Sequence, residues 1–322
     1  MLTKIVLENF RCFKERTEID FKKTNYKTLE KSNVYDGILK GGIFVGANGS
    51  GKTSVILGIK RLLELLFDNT DIYQLLSTDY CAFAVNPIVK LGYEFKIDNN
   101  IIKYYISYNI EEESLNEKLE CNNELLINRL GNKAESKITE VTDYNDLDSN
   151  NLLIREIYFN TKFRGYDVLK KWFEFLINSV FFDAYDKEIV SGIRNKLNLS
   201  HYINDKGISD INNFLIKYGF DQQIDFSDEG KGEYTSFLED KKKVFFIRNN
   251  LNQPIPYELE SLGNKNLITL LPILFHSINN GGMLLIDEFS SGFHNKLEYL
   301  LVKYFMESSR GTFYKKSLSS SP

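Results

Sequence analysis

The chain has 322 residues, of which 43% are hydrophobic and 14% aromatic, so it can bury a sizeable core and disorder is not expected. Its formal net charge of −4 gives no overall attraction to nucleic acid, and no stretch is apolar for long enough to cross a membrane. The cysteines, Cys12, Cys81 and Cys121, lie far apart, which argues against a disulfide framework or a zinc site and predicts a cytoplasmic protein.

The first part of the sequence predicts strands around a glycine-rich loop. Residues 3–21 alternate apolar and polar side chains, as two short strands do. Residues 42–45 form an apolar run that leads into the glycines, and residues 53–67 place apolar side chains at helical spacing. Residues 93–108 contain two aromatic and β-branched runs around a turn sequence, which predicts an antiparallel hairpin.

The middle of the sequence predicts an inserted lobe. Residues 111–150 are rich in Glu, Asn, Asp, Lys and Ser, which predicts a charged helix and loops projecting into solvent. Residues 167–182 carry apolar side chains at helical spacing, which core packing explains. Strand character returns at residues 244–247. We therefore expect a core that is split by a mainly helical insertion.

A phosphate-binding loop is the strongest motif in the chain. Residues 46–53, GANGSGKT, match G-x-x-x-x-G-K-[ST] between a predicted strand and a predicted helix. The glycines let the backbone turn so that its N–H groups point inward, and the helix N-terminus adds a positive dipole end. Lys52 is predicted to bind the β- and γ-phosphates of ATP, Thr53 to bind Mg²⁺ and Asn48 to approach the γ-phosphate. The predicted nucleotide-binding residues of the loop are Gly46, Ala47, Asn48, Gly49, Ser50, Gly51, Lys52 and Thr53.

A second motif is a buried strand that ends in two acids. Residues 283–288, MLLIDE, follow two glycines and have the form of a Walker B segment. Asp287 is predicted to bind Mg²⁺ through its water shell. Glu288 is predicted to be the catalytic general base, because a carboxylate at the carboxyl end of a strand can face the γ-phosphate.

A third motif lies just upstream of that strand. Residues 260–265, ESLGNK, precede an apolar helix predicted over residues 267–278, so Ser261 and the N–H groups that follow it lie at a helix N-terminus. Ser261, together with the N–H groups that follow it, is therefore a candidate for binding an anion. The alternative is that Ser261 only caps the helix.

Together these segments resemble the ABC-type ATPase heads of the RecF, SMC and OLD-like group of P-loop ATPases, over about residues 1–70 and 240–306. The opening Asn9-Phe10-Arg11 also resembles the start of that group, which adds Arg11 to the predicted nucleotide-binding residues. The resemblance implies an α/β fold with a mixed-sheet core, an N-terminal antiparallel β subdomain and a mainly helical insertion. The expected segments are residues 1–110, with the P-loop and antiparallel sheet, the inserted lobe at 111–240, and 241–322, with the signature and Walker B.

The resemblance also implies a mechanism. Two copies of the chain would form a homodimer around two ATP molecules, with each Lys52 loop facing Ser261 and Gly263 of the other copy, and hydrolysis would open the dimer. The expected ligands are ATP and Mg²⁺. The expected setting is anti-phage defence with an effector nuclease or toxin as partner, with DNA as a further candidate partner, because the middle lobe lacks a long coiled coil and a C-x-x-C zinc hook.

Two alternatives remain open at this point: a DNA-repair ATPase of the RecF or SMC kind, and a scaffold that binds ATP without hydrolysing it and holds a partner protein. A GTPase is disfavoured, because residues 195–198 and 295–298 both fail the last position of Asn-Lys-x-Asp. A Q-loop glutamine is not assigned, although Gln222 and Gln223 lie in a polar stretch.

The end of the chain departs from the expected pattern. His294 follows Ser290-Ser291-Gly292, a segment that resembles the D-loop, where a structural or interface role is expected for it. No later histidine is present to act as the switch histidine of such heads. Residues 315–322 are polar where an apolar strand is expected, which predicts a truncated or frameshifted copy that lacks at least one core strand and any C-terminal effector domain.

Overall fold

The computed structural model describes residues 1–25, 30–47, 49–193, 197–227, 243–249, 251, 253–289, 293, 295–308 and 316–321. The strands, in chain order, are β1 (Leu2–Glu8), β2 (Thr17–Asp20), β3 (Val34–Tyr35), β4 (Ile38–Leu39), β5 (Gly41–Val45), β6 (Ile88–Ile97), β7 (Asn100–Asn109), β8 (Ser114–Cys121), β9 (Glu124–Leu130), β10 (Lys133–Ser136), β11 (Asp143–Tyr144), β12 (Val180–Asp183), β13 (Ile189–Val190), β14 (Gln222–Ser227), β15 (Lys243–Arg248), β16 (Ile255–Pro256), β17 (Met283–Asp287) and β18 (Lys316–Ser321). The helices are α1 (Glu30–Asn33), α2 (Lys52–Phe67), α3 (Ile72–Ser77), α4 (Leu153–Thr161), α5 (Asp167–Ile177), α6 (Leu199–Lys206), α7 (Ser209–Lys217), α8 (Leu262–Asn280) and α9 (Asn295–Ser308).

The larger sheet is antiparallel and has the strand order β11-β10-β9-β8-β7-β6-β1-β2 among the described residues. Strands β6 and β7 form a long hairpin in which Ile97 pairs with Asn100. Asp98, in the turn between them, takes the left-handed conformation with a φ of 51°, which short aspartate side chains tolerate. The strands predicted in residues 3–21 and the hairpin predicted in residues 93–108 are confirmed.

Residues 111–150 differ from the prediction of a charged helix with loops. Strands β8 to β11 extend the same antiparallel sheet, so a segment boundary at residue 111 falls inside one sheet. Leu115 and Leu119 face the core, and Glu117 between them is buried as well. The Glu117 carboxylate accepts the first two N–H groups of α4, at 2.8 and 3.0 Å. The polar composition was misleading for two reasons. In a strand with one buried face only every second residue must be apolar, and the buried acid Glu117 caps a helix.

The second sheet has the order β13-β12-β17-β18-β5, and its last four strands run parallel. Phe181 and Leu285 pack into a core that contains α2 and the antiparallel sheet. Phe182 and Ile286 point the other way, into a core that contains α8. A parallel strand covered on both faces is apolar throughout, which accounts for the continuous hydrophobic run of β17.

Strand β12 lies where the sequence predicts the end of a helix. The helix predicted over residues 167–182 ends at Ile177, and Val180–Asp183 pairs with β17. Apolar runs of this length fit a buried strand and a helix equally well by pattern alone. The hydroxyl of Ser179 marks the change, because it donates to the last turn of α5 at 2.8 Å and accepts the N–H of Met283 at 2.9 Å.

The prediction that the polar tail leaves the core without a strand is wrong. Lys316–Ser321 forms β18, which pairs in parallel with β17 on one side and β5 on the other. Strand pairing uses backbone N–H and C=O groups, which every residue in the segment supplies whatever its side chain. The parallel sheet is therefore continuous from the Walker B strand to the strand that enters the P-loop.

The helices cover both sheets. Helices α2, α4 and α5 share a core with the antiparallel sheet, and Trp172 of α5 is fully buried there. Helices α6, α7 and α8 pack in the second core with β14 and β15. Among the described residues of the middle region, the helices lie between residues 153 and 217. Within the described part of the chain, no helix is both long and apolar enough to span a bilayer.

Candidate functional site

The P-loop connects β5 to α2, as its motif predicts. Gly49 and Gly51 have φ values of 79° and 92°, where residues with a Cβ are strained. A Cβ at Gly51 would also lie 2.9 Å from the Cys12 sulfur and 3.2 Å from the Phe13 ring. Gly51 is therefore required both by the backbone conformation and by the close approach of the turn after β1. Asn48 lies outside the described residues.

Lys52 is the first residue of α2, so its position is fixed by the start of the helix. Its ammonium group donates to the carbonyl oxygens of Gly46, at 2.8 Å, and Ala47, at 3.1 Å. The positive charge thus lies directly over the loop whose amides and helix dipole favour an anion.

The P-loop and the Walker B strand meet at one point. Thr53 Oγ1 lies 3.5 Å from Asp287 Oδ1, and Asp287 is only 2% exposed. Glu288 follows with a φ of 51°, and its N–H donates to Asp287 Oδ1 at 3.0 Å. This turn leaves the Glu288 side chain exposed and lining the same cavity as the P-loop.

The donor set at this point fits Mg²⁺. A hydroxyl oxygen and a carboxylate oxygen are hard ligands, and Mg²⁺ is usually bound through one or two carboxylates together with substrate phosphates. Thr53 and Asp287 are the residues that would hold it, directly or through water. The structure brings these two predicted residues together.

Arg11 reaches the same cavity from the turn after β1. Its guanidinium donates to Asp79 Oδ1 at 2.8 Å, and its backbone N–H donates to the Asp79 carbonyl at 2.6 Å. Asp79 is 1% exposed and also accepts a hydrogen bond from Arg61. Burial disfavours the charge on Arg61, but its hydrogen bond to Asp79 and the nearby carboxylates raise its pKa. Arg11 is therefore held against the cavity wall by a buried ion cluster.

The cavity that these residues form has a volume of about 910 Å³. Its described lining residues are Arg11, Cys12, Gly49, Ser50, Gly51, Lys52, Thr53, Ser54, Thr78, Tyr80, Ala82, Phe83 and Glu288. The wall formed by residues 78–83 was not found by sequence reasoning. No motif marks it, and backbone hydrogen bonds of residues 79 and 81 to the turn after β1 bring it to the P-loop.

Ser261 and Gly263 lie at the start of α8, as predicted. Ser261 Oγ accepts the N–H of Asn264 at 3.3 Å, so the serine is an N-cap. The side chain of Ser261 is exposed, and the space around Gly263 is open. Neither residue lines the P-loop cavity of its own chain among the described residues.

Glu260 organises this helix start, and sequence reasoning missed it. Its carboxylate accepts two hydrogen bonds from Arg248, at 2.9 and 2.8 Å, and one each from the Ser261 N–H and the Asn264 amide. Burial by itself would raise the pKa of Glu260, but these donors and the Arg248 charge lower it. Gln222 also accepts from Asn264, at 2.8 Å, so this glutamine contacts the signature segment.

Gln223 follows Gln222 in β14, and neither lines the P-loop cavity among the described residues. The Q-loop position thus stays unassigned. His294 and residues 290–292, the segment that resembles a D-loop, lie outside the described residues.

The chain is similar in fold to solved SMC head domains. The SmcHead bound to the C-winged helix domain of ScpA matches with a TM-score of 0.55 and 13% identity, covering 99% of this chain and 89% of that one. The SMC head domain from Thermotoga maritima has a TM-score of 0.49 and 13% identity, covering 100% and 89%. At 13% identity the likeness to the SmcHead shows the fold alone, which is that of an SMC-head P-loop NTPase.

No curated protein matches the chain. Residues 43–315 match the protein family described as "AAA domain, putative AbiEii toxin, Type IV TA system". The match runs from the strand before the P-loop past the Walker B strand and so includes both motifs of the cavity. The chain belongs to this family of AAA-domain P-loop ATPases.

Proposed function

We propose that the chain binds ATP in the P-loop cavity and hydrolyses it with the help of Mg²⁺. The observation that carries the proposal is the approach of Thr53 and Asp287 to 3.5 Å, although 234 positions separate them in the sequence. A P-loop threonine and a Walker B aspartate at one point are what phosphoryl transfer to water requires.

The roles of the residues follow from their positions. The loop amides and the Lys52 ammonium neutralise the phosphate oxygens, and the dipole of α2 adds to this field. Mg²⁺, when bound by Thr53 and Asp287, supplies further positive charge to the phosphates. Glu288 orients a water molecule and takes its proton, since its carboxylate lines the cavity beside these groups.

We further propose that ATP joins two copies head to tail. Each P-loop cavity would face Ser261 and Gly263 of the second copy, whose helix N-terminus provides N–H groups for the γ-phosphate. Three features support this arrangement: the exposed Ser261 cap, the open space at Gly263, and the buried Glu260 cluster that fixes both. Hydrolysis removes the contacts that depend on the γ-phosphate and opens the dimer.

The family match supports defence as the biological setting, because its description includes a toxin and a toxin–antitoxin system. We propose that the ATP-bound dimer controls an effector nuclease or toxin. The SmcHead structure contains a domain of ScpA, and a partner protein on this head would be a comparable arrangement. DNA repair by a head of the RecF or SMC kind is the second candidate, supported by the fold.

The test uses the full chain and its Glu288→Gln variant. Phosphate release is measured with Mg²⁺ and ATP, and the mass is measured by light scattering with and without ATP. We expect Glu288→Gln to slow release by about 10²- to 10⁴-fold and to accumulate as a dimer when ATP is present. The matched control is Glu135→Gln, an exposed carboxylate in β10, which should behave as the parent does.

The outcomes separate the candidate functions. ATP-dependent dimers without phosphate release from the parent chain would indicate the non-hydrolysing scaffold. If ATP left the mass unchanged while phosphate was released rapidly, the dimer would be contradicted and the proposed ATPase activity would stand. If the parent chain neither bound ATP nor released phosphate, the proposal as a whole would be contradicted.

A further inference from the structure

The P-loop cavity extends beyond the phosphate-binding groups. The loop, Lys52 and Glu288 line one part of it, and Thr78, Tyr80, Ala82 and Phe83 add a further wall. Its volume of about 910 Å³ is at the upper end of the range for small-molecule sites, about 300–1,000 Å³. The cavity therefore has room for a nucleoside as well as for three phosphates.

An exposed aromatic ring lies on that further wall. Phe83 lines the cavity and its side chain is 81% exposed. It lies in a tight turn that is closed by a hydrogen bond from the Ala84 N–H to the Cys81 carbonyl at 2.9 Å. An exposed aromatic ring that lines a cavity has apolar faces that a planar ligand can cover.

The turn that carries Phe83 is held at both ends. The Cys81 N–H donates to the Asn9 carbonyl at 3.0 Å, which fixes the turn to the segment that carries Arg11. The Tyr80 hydroxyl donates to the Asn86 carbonyl at 3.0 Å, which ties the two ends of the loop together. A ring on a fixed turn loses little conformational entropy when it binds a ligand.

We propose that Phe83 is the base platform of the site: the base of a nucleoside triphosphate stacks on its ring while the phosphates lie on the P-loop. The inference rests on the proposed binding of triphosphate at Lys52, and it names the ligand class as nucleotides rather than bare polyphosphates. Every base has a π-face, so stacking on one ring tolerates different bases. Phe83 therefore selects for a nucleoside without deciding between adenine and guanine.

Val85 provides a matched control in the same loop. It is 87% exposed and lies two residues after Phe83, but it does not line the cavity. Removing its side chain changes the exposed apolar surface of the loop without changing the wall of the cavity. Phe83→Trp provides the opposite control, because it keeps an aromatic face at the site.

The experiment measures the Kd of the full chain for three probes by calorimetry: a non-hydrolysable ATP analogue, the matching GTP analogue and inorganic tripolyphosphate. We expect Phe83→Ala to raise the Kd for both nucleotides by about 5- to 150-fold and to leave the Kd for tripolyphosphate unchanged. Phe83→Trp and Val85→Ala should both bind like the parent chain. The mass of each variant is followed by light scattering.

Four results would overturn the proposal. Unchanged nucleotide affinity in Phe83→Ala would show that the ring does not contact the base, and a changed dimer mass with unchanged affinity would assign the ring to the interface. An equal loss for tripolyphosphate would mean that the substitution only disturbs the loop. If the parent chain bound none of the probes, the proposed function itself would fail, and the platform with it.

Discussion

The hydroxyl of Thr53 lies 3.5 Å from a carboxylate oxygen of Asp287, at the point where α2 begins and β17 ends. The pair joins two motifs that belong to opposite halves of the chain. Strand β18 fills the space between β5 and β17, so the distance between the motifs is set by one continuous sheet.

The first prediction concerns Asp287. Replacing it with Asn keeps the shape but removes the charge that favours Mg²⁺. We expect Asp287→Asn to need about 10- to 100-fold more Mg²⁺ for half-maximal phosphate release. Asp183→Asn is the control. Asp183 lies on β12, in register with Asp287 on β17, but its carboxylate accepts the N–H groups of Tyr185 and Asp186 in the loop that follows. Equal Mg²⁺ requirements in the two variants would contradict the metal role of Asp287.

The second prediction concerns Gly51. Gly51→Ala forces a Cβ into a left-handed conformation and against Cys12, whereas Gly131→Ala has the same backbone problem (φ 61°) in open space. We expect each to lower the free energy of unfolding by about 1–2 kcal/mol. Only Gly51→Ala should also lose ATP binding, since it displaces the P-loop. Urea unfolding and calorimetry check both parts, and ATP binding by Gly51→Ala at the parent level would refute this account.

The third prediction uses Cys12 as a reporter of the cavity. Cys12 is exposed and lines the cavity, whereas Cys81 is buried and Cys121 lies half-buried in β8. ATP with Mg²⁺ should slow the alkylation of Cys12 by iodoacetamide about tenfold when ATP is at ten times its Kd. Peptide mass spectrometry after timed labelling measures the rate at each thiol. Cys121 should react at the same rate with and without ATP. If the Cys12 rate were also unchanged by ATP, the nucleotide would bind elsewhere.

The fourth prediction is a pH dependence of stability. Burial lowers the pKa of His276 in α8 to about 4, from the 6.5 of an unperturbed histidine, and its buried Nε2 has no hydrogen-bond partner. The folded state therefore keeps the ring neutral, and this contribution to stability is complete above pH 6.5 and lost as the pH falls towards 4. Between those values the parent chain should lose stability relative to His276→Leu in urea unfolding. A constant difference across this pH range would contradict the assignment.

The sequence predicts the strands and helix that carry the P-loop and Walker B motifs well, because these motifs are local. The glycines of the P-loop, the helix that begins at Lys52 and the apolar strand that ends at Asp287 each depend on neighbouring residues alone. Their backbone conformations follow from residue type, as the positive φ of Gly49 and Gly51 illustrates. The motifs were therefore found without knowledge of the fold.

The parts that the sequence does not predict depend on distant partners. The sequence of strand β8 does not look like that of a buried strand, because its buried Glu117 caps α4, which begins 36 residues later. Strand β18 becomes part of the sheet through backbone pairing with two distant strands. The cavity wall at Phe83 exists because Cys81 bonds to Asn9. None of these contacts leaves a pattern in neighbouring residues.

The central claim, that Lys52 and the P-loop amides bind the phosphates of ATP, is tested most directly by equilibrium binding to Lys52→Ala. The control is Lys133→Ala, an exposed lysine in β10. Lys52→Ala removes a hydrogen-bonding cation, so its affinity for ATP should fall by about 10- to 150-fold. Lys133→Ala should bind ATP as the parent chain does. If Lys52→Ala binds ATP as tightly as the parent does, the nucleotide is not bound by this loop, and the account is wrong.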